Sequence, residues 1–174
     1  MNDLMAIWLK RITPLVIIGM VLVAASRLIP KPEPIVQPIQ YNHKLHVEQE
    51  GMECIDCHRY VEEKPYATIP QIEICSDCHF DEPLSESPEE EKLIAHVESD
   101  SAIPWERIYR VPDHVYFSHR RHVTLGEISC SNCHGNVAEQ LAPAPQPMTP
   151  MSMEWCVDCH RENKVSNDCL TCHR

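Results

Sequence analysis

Residues 156–173 read Cys156-Val-Asp-Cys159-His160-Arg-Glu-Asn-Lys-Val-Ser-Asn-Asp-Cys169-Leu-Thr-Cys172-His173, two Cys-x-x-Cys-His pentapeptides with eight residues between them. Three more occur upstream: Cys54-Ile-Asp-Cys57-His58, Cys75-Ser-Asp-Cys78-His79 and Cys130-Ser-Asn-Cys133-His134. Together they use all 10 cysteines of the 174-residue chain. Each pentapeptide is the attachment signature of c-type haem. One short helical turn offers two thiols to the two vinyl groups of a porphyrin and sets the next imidazole under the iron. Zinc sites also use paired cysteines, but tetrahedral closure takes four ligands, and five pairs with five trailing histidines divide poorly into such sites. A disulfide framework has no use for the histidines, and thioredoxin-like chemistry needs one pair in a βαβ setting. Five haem c groups are therefore expected, held through Cys54, Cys57, Cys75, Cys78, Cys130, Cys133, Cys156, Cys159, Cys169 and Cys172, with His58, His79, His134, His160 and His173 as proximal iron ligands.

Of the 11 histidines, six remain: His43, His46, His96, His114, His119 and His122. Five low-spin irons need five further axial ligands. Two imidazoles on one iron suit electron transfer and leave no vacancy for substrate, whereas a methionine ligand raises the potential. Met148, Met151 and Met153, just before the fourth pentapeptide, are the alternatives. An internal repeat narrows the choice. Tyr41-Asn-His43-Lys-Leu-His46-Val47 before Cys54 matches Phe117-Ser-His119-Arg-Arg-His122-Val123 before Cys130 at a constant offset of 76 residues, which points to duplication. Two histidines three apart on a helix lie about 60° apart and ~4.5 Å along the axis. Each can serve a different haem, so that one helix joins two porphyrins. His96 stands outside the repeat and is the expected spare.

The rest of the composition fits this reading. With 4 Gly, 2 Phe and 15 Pro, little is left for a conventional core, and small domains of this kind need cofactors or cross-links. Only 21 residues, rich in Pro and Ala, separate His134 from Cys156. The expected fold is therefore a multihaem cytochrome c: short helices and loops wrapped around five haems, little β structure, and one N-terminal transmembrane helix. A formal charge of −11 and a pI near 5.4 argue against a nucleic-acid binder.

Ile12 to Ile29 is apolar apart from Arg27 and follows Lys10-Arg11. As a helix it spans about 27 Å, just enough for a hydrocarbon core of ~30 Å. A cleaved signal peptide also fits a basic pair before a short apolar run ending in Ala24-Ala25-Ser26; a retained anchor is the expectation adopted. The positive charges flanking the run are nearly balanced, so orientation follows from haem attachment, which occurs outside the cytoplasm. The expected organisation is an anchor at 1–29, a proline-rich spacer at 30–39, a dihaem module at 40–80, an acidic insertion at 81–103 and a trihaem module at 104–174. Within the insertion, Ser87-Pro88-Glu89-Glu90 reads as a capped helix start, with Leu93, Ile94 and Val97 on its apolar side. The Glu89-Glu90-Glu91 run reads as a solvated face.

The segment Pro112-Asp-His114-Val-Tyr-Phe117-Ser-His119-Arg-Arg-His122-Val, with Cys130 to Gly135 and Met151-Ser-Met153-Glu-Trp155-Cys156 to Arg161, resembles the trihaem module of the small class III multihaem cytochromes. With the upstream dihaem repeat and the anchor, the chain resembles the membrane-anchored pentahaem subunits of alternative complex III, a bacterial quinol-oxidising complex. That resemblance implies His43 for the haem on His58, His46 for that on His79, His119 for that on His134, His122 for that on His160 and His114 for that on His173. It implies an electron-transfer subunit with no catalytic site of its own, on the outer side of the cytoplasmic membrane. The implied partners are integral-membrane quinol-binding subunits, an iron–sulfur subunit, and a mono-haem cytochrome c or soluble acceptor. Two other classes compete. A multihaem reductase of nitrite or a similar oxyanion needs an open iron, often beside a Lys that replaces the proximal His. An anchored tetrahaem quinol dehydrogenase needs a Met shortly after the first pentapeptide, where this chain has Arg59-Tyr-Val. Arg59, Arg120, Arg121 and Arg161, beside the ligands, are candidates to answer haem propionates.

Overall fold

The computed structural model describes residues 2–26, 28, 33–80 and 82–173, with side chains from Arg11 onward. Arg27 and Ile29 of the expected membrane span, the start of the proline-rich stretch and the boundary at Asp81 lie outside the described residues. The chain divides into two units, residues 1–33 and 34–174.

The first unit is one helix, α1 (Asn2–Ser26). Its side chains from Ile12 to Val23 are exposed, Leu15 and Leu22 among them. Among the described residues, no helix is long and apolar enough to cross a membrane. Lys10 and Arg11 interrupt its first half, and from Ile12 to Ser26 the apolar part covers only about 22 Å, against a hydrocarbon core of ~30 Å.

The second unit contains short helices: α2 (Cys54–Cys57), α3 (Ile72–Ser76), α4 (Pro88–Glu98), α5 (His119–Val123), α6 (Ser131–His134), α7 (Met153–Glu162) and α8 (Cys169–Cys172), with a wide helical turn at Leu45–Gln49 and a 3-10 turn at Val137–Glu139. The described residues form no β-strand; an isolated antiparallel bridge joins Val115 to His173. Only Ile39, Val61 and Ile72 are buried hydrophobic residues among those described, and no large side chain is fully buried. Protein side chains thus supply almost none of the apolar burial that a domain of this length requires.

Helix α4 starts where the sequence sets its cap. Ser87 Oγ accepts the Glu89 N–H at 3.3 Å and Pro88 occupies the first helical position. Leu93, Ile94 and Val97 are half-buried, and α4 packs against α3. The proline-rich stretch is not free of this unit over its second half. The Gln37 side chain both donates to Glu106 O at 2.8 Å and accepts from Glu106 N–H at 2.9 Å, and Ile35 N–H donates to Pro145 O. Gln37 and Ile39 are buried as a result.

Candidate functional site

The pentapeptides fold as single turns. His58, His79, His134 and His173 each donate their backbone N–H to the carbonyl of the first cysteine of the motif, at 2.9, 3.0, 2.9 and 2.8 Å, so both thiols and the imidazole emerge from one turn. The fourth motif lies inside α7, capped by Ser152, whose Oγ accepts the Trp155 N–H. The ten cysteines form no disulfides with one another. Burial, followed by neighbouring cysteines or acids, pushes the Cys54, Cys57, Cys75, Cys133 and Cys156 thiols upward. Among the described residues no group of three or more His, Cys, Asp or Glu is arranged to hold a metal ion.

The duplicated segment is duplicated in space. Tyr41 stacks on His46 at 4.4 Å between ring centroids and meets His43 edge-on at 4.7 Å. Phe117 stacks on His122 at 4.6 Å and meets His119 edge-on at 4.9 Å. His46 Nδ1 lies 2.9 Å from Asn42 O and His122 Nδ1 2.8 Å from Ser118 O. Met52 N–H donates to His46 O, and Ile128 N–H to His122 O, at 3.0 Å each.

Each turn brings its histidines to those of the pentapeptides. His46 faces His79 at 6.4 Å between ring centroids, His119 faces His134 at 6.4 Å, His122 faces His160 at 6.1 Å, and His114 stacks near His173 at 5.4 Å. His43 feels His58 electrostatically. Burial, then His58 and His46, lowers His43 to about 4. Burial likewise lowers His119 and His134, so these rings are neutral at physiological pH, the state that ligates a metal. Two imidazoles on opposite sides of a metal, at a bond of about 2 Å each and with ring centres about 1 Å further back, put their centroids ~6 Å apart. Three of the pairs stand at that span.

The second nitrogens support the same use. Nδ1 of His58, His119 and His160 lies 3.0, 3.0 and 2.8 Å from the carbonyls of Thr68, Pro65 and Ser166. A carbonyl only accepts, so Nδ1 carries the proton and Nε2 keeps its lone pair, the arrangement found behind metal-bound histidines. Thr68 reaches His58 from a φ of 66°, a left-handed conformation that is costly for a β-branched residue. His43 Nδ1 is buried with no hydrogen-bond partner. His96 differs: its Nδ1 lies 3.0 Å from the Ser101 hydroxyl, which can donate or accept and fixes no tautomer. Met153 is exposed at the first position of α7, and Met148 packs beside Gly135.

The chain belongs to the multihaem cytochrome c family. It is 35% identical over 162 residues to the multiheme cytochrome c subunit of a menaquinone reductase from Nitratidesulfovibrio vulgaris, covering 79% of this chain and 77% of that one. Residues 115–174 match the family of cytochrome c7 and related cytochrome c. As a multihaem cytochrome c, the chain carries c-type haem and serves electron transfer, and the paired thiols and opposed imidazoles fit that group.

In this cytochrome the motifs also adjoin one another in a definite order. Cys57 acts electrostatically on Cys75, Cys130 on Cys54 within hydrogen-bonding reach, Cys156 and Cys159 on Cys133, and Cys172 on Cys156. Backbone bonds tie the loop after the first motif to α5: His119 N–H to Pro65 O and Arg120 N–H to Lys64 O. Tyr116 N–H to Cys172 O ties in the fifth motif.

Three contributors escaped the sequence reading. Tyr109 sets its ring edge against His134 at 4.5 Å and accepts the Met148 N–H. Thr68 supplies the carbonyl behind His58. Glu90, expected on a solvated face, is buried and pairs with His79 Nδ1 at 2.7 Å. Burial pushes the Glu90 carboxyl up, but hydrogen bonds from Ser85, the Leu84 N–H and His79 outweigh it and hold it at about 2. Of the arginines, Arg59 lies 3.8 Å from Asp77 and Arg161 2.6 Å from Asp158, all exposed, pairs of little energetic weight.

Proposed function

We propose that the chain is a pentahaem electron-transfer subunit of a membrane-bound quinone-active complex, each iron held between one pentapeptide histidine and one histidine from outside the motifs. One observation carries this reading: four pentapeptide histidines each face a different non-motif histidine, three of them at the separation that two imidazoles on one metal require. In this assignment His58 pairs with His43, His79 with His46, His134 with His119, His160 with His122 and His173 with His114. When bound, the haems supply reversible one-electron chemistry. The paired histidines would hold the irons, and the carbonyls behind them fix their tautomers. With both sides of each iron taken by these histidines, the chain would have no catalytic site of its own, which disfavours a nitrite reductase.

The motif contacts support a linear wire in the order second, first, third, fourth, fifth. The exposed apolar side chains of α1 from Ile12 to Val23 support its burial in the bilayer edge or against an integral-membrane subunit, with the haem unit on the outer side of the cytoplasmic membrane. The parent complex is one of alternative complex III make-up: quinol-binding membrane subunits, an iron–sulfur subunit, and a periplasmic cytochrome c as acceptor. The name of the menaquinone reductase relative favours a second direction of flow, from a periplasmic cytochrome toward menaquinone. Gentle solubilisation followed by identification of copurifying proteins tests the assembly. Membrane and iron–sulfur subunits with five low-spin haems per chain, unchanged by carbon monoxide, support the reading. A lone cytochrome with a large high-spin fraction overturns it. Rapid reduction of the complex by menaquinol, or by a reduced cytochrome, decides the direction.

A further inference from the structure

Glu90 is the exception among the groups behind the paired histidines. His58 and His160 direct Nδ1 at neutral backbone carbonyls. His79 directs its Nδ1 at a carboxylate oxygen, 2.7 Å away, on a side chain only 7% exposed. The same carboxylate accepts the Leu84 N–H at 2.8 Å on that oxygen and the Ser85 hydroxyl at 2.5 Å on the other. Three donors converge on it, so it is held ionised and in one orientation. Helix α4 delivers it. Pro88 and the Ser87 cap fix the first turn, and the packing of α4 against α3 turns Glu90 toward the second motif.

A full negative charge at hydrogen-bond distance, shielded from water, acts far more strongly on an imidazole than a carbonyl dipole does. It draws the Nδ1 proton, raises the basicity of Nε2 and favours the more positive oxidised state of any metal held there. We propose that Glu90 is a positioning residue that makes His79 the strongest electron-donating ligand of the five pentapeptides and lowers the reduction potential of the haem at Cys75–His79. This rests on the assignment of His79 as an iron ligand. The second motif lies at one end of the proposed wire, so the charge biases an electron away from that terminus and toward the first motif. The acidic insertion is then a tuning element for one haem.

The test is a spectroelectrochemical titration of the full, haem-loaded chain in its complex. Glu90→Gln keeps an acceptor but removes the charge, and is expected to shift one low-potential component upward while five haems and the other components stay unchanged. Ser85→Ala removes a competing donor, leaves the carboxylate freer to accept from His79, and should shift the same component downward. Glu91→Gln, an exposed neighbour, should shift nothing. An unchanged titration in Glu90→Gln, or equal movement of all components, overturns the proposal. Should Glu90→Gln fail to load five haems, Ser85→Ala decides: a downward shift supports the proposal and no shift overturns it. His79→Ala separates the two layers of argument. If it removes a component other than the one Glu90→Gln moves, the ligand assignment fails; if it removes that component, the assignment stands whatever Glu90 does.

Discussion

The ring of Phe117 lies on the ring of His122, centroids 4.6 Å apart and planes 23° from parallel. Tyr41 holds His46 in the same way in the first copy, at 4.4 Å and 26°. One aromatic side chain therefore orients both histidines of each pair, flat against the second and edge-on to the first. Phe117→Ala should release His119 and His122 together, disturbing two haems at once, and cost about 2 kcal/mol for a half-buried ring. Phe117→Tyr installs what the first copy already uses and should change neither the low-spin spectrum nor the melting temperature. Electron paramagnetic resonance of the oxidised protein reads the outcome; a one-haem effect in Phe117→Ala would contradict the shared role.

Gly126 fixes the same pair from the other side. A Cβ there would stand 2.7 Å from the His122 carbonyl oxygen and 3.3 Å from that of Arg121, both backbone atoms that cannot swing away. Gly126→Ala should push the end of α5 off the loop 60–65 and lower stability by roughly 1–3 kcal/mol. In the first copy Gly51, whose counterpart at the 76-residue offset is Glu127, meets no atom within 4 Å as Gly51→Ala, but its φ of 69° carries a strain of about 1 kcal/mol. Melting temperatures of the two variants, with haem content measured alongside, distinguish a clash from conformational strain.

The strained residue behind His58 yields an opposite sign. Thr68 holds φ at 66° while its carbonyl accepts from His58 Nδ1. Thr68→Gly relieves the strain, partly offset by the greater freedom of glycine in the unfolded chain, and should stabilise by up to about 1 kcal/mol without altering the His58 haem. Thr68→Pro cannot adopt that φ and should lose the carbonyl contact, visible as a changed potential or spin state of one haem.

What could be read in advance follows from the range of the forces involved. The five pentapeptides, the 76-residue repeat and the Ser87–Pro88 helix start are local patterns, in which spacing alone sets geometry. Glu90 was invisible because its partner, His79, lies 11 residues away across a turn, and a Glu-Glu-Glu run gives no hint of which carboxylate turns inward. The carbonyls behind His58, His119 and His160 leave no trace in side-chain identity at all. The proline-rich stretch read as a spacer because its composition is that of one, yet Gln37 and Glu106 bond reciprocally across 69 residues. The membrane span reads from Ile12 to Ile29 in the sequence, but Arg27 and Ile29 lie outside the described residues, and the described helix, Asn2–Ser26, is not long and apolar enough to cross a membrane.

His96 and His114 give the most direct test of the ligand set. His114 stacks near His173 at 5.4 Å, about 0.6 Å inside the ~6 Å span for two imidazoles on one metal, and the adjacent Val115 is bridged to His173. The two rings must part slightly to take a metal, and that bridge holds the backbones in register while they do. His96 instead turns to Ser101, whose backbone N–H also donates to His96 O at 3.0 Å, closing the C-terminal end of α4. His114→Ala should therefore convert one haem from low to high spin and open it to carbon monoxide, leaving four unchanged. His96→Ala should leave all five spectra intact and cost no more than about 1 kcal/mol from the lost contact with Ser101. Carbon monoxide difference spectra of the two reduced variants decide between the residues, and a response in His96→Ala alone would exchange their roles.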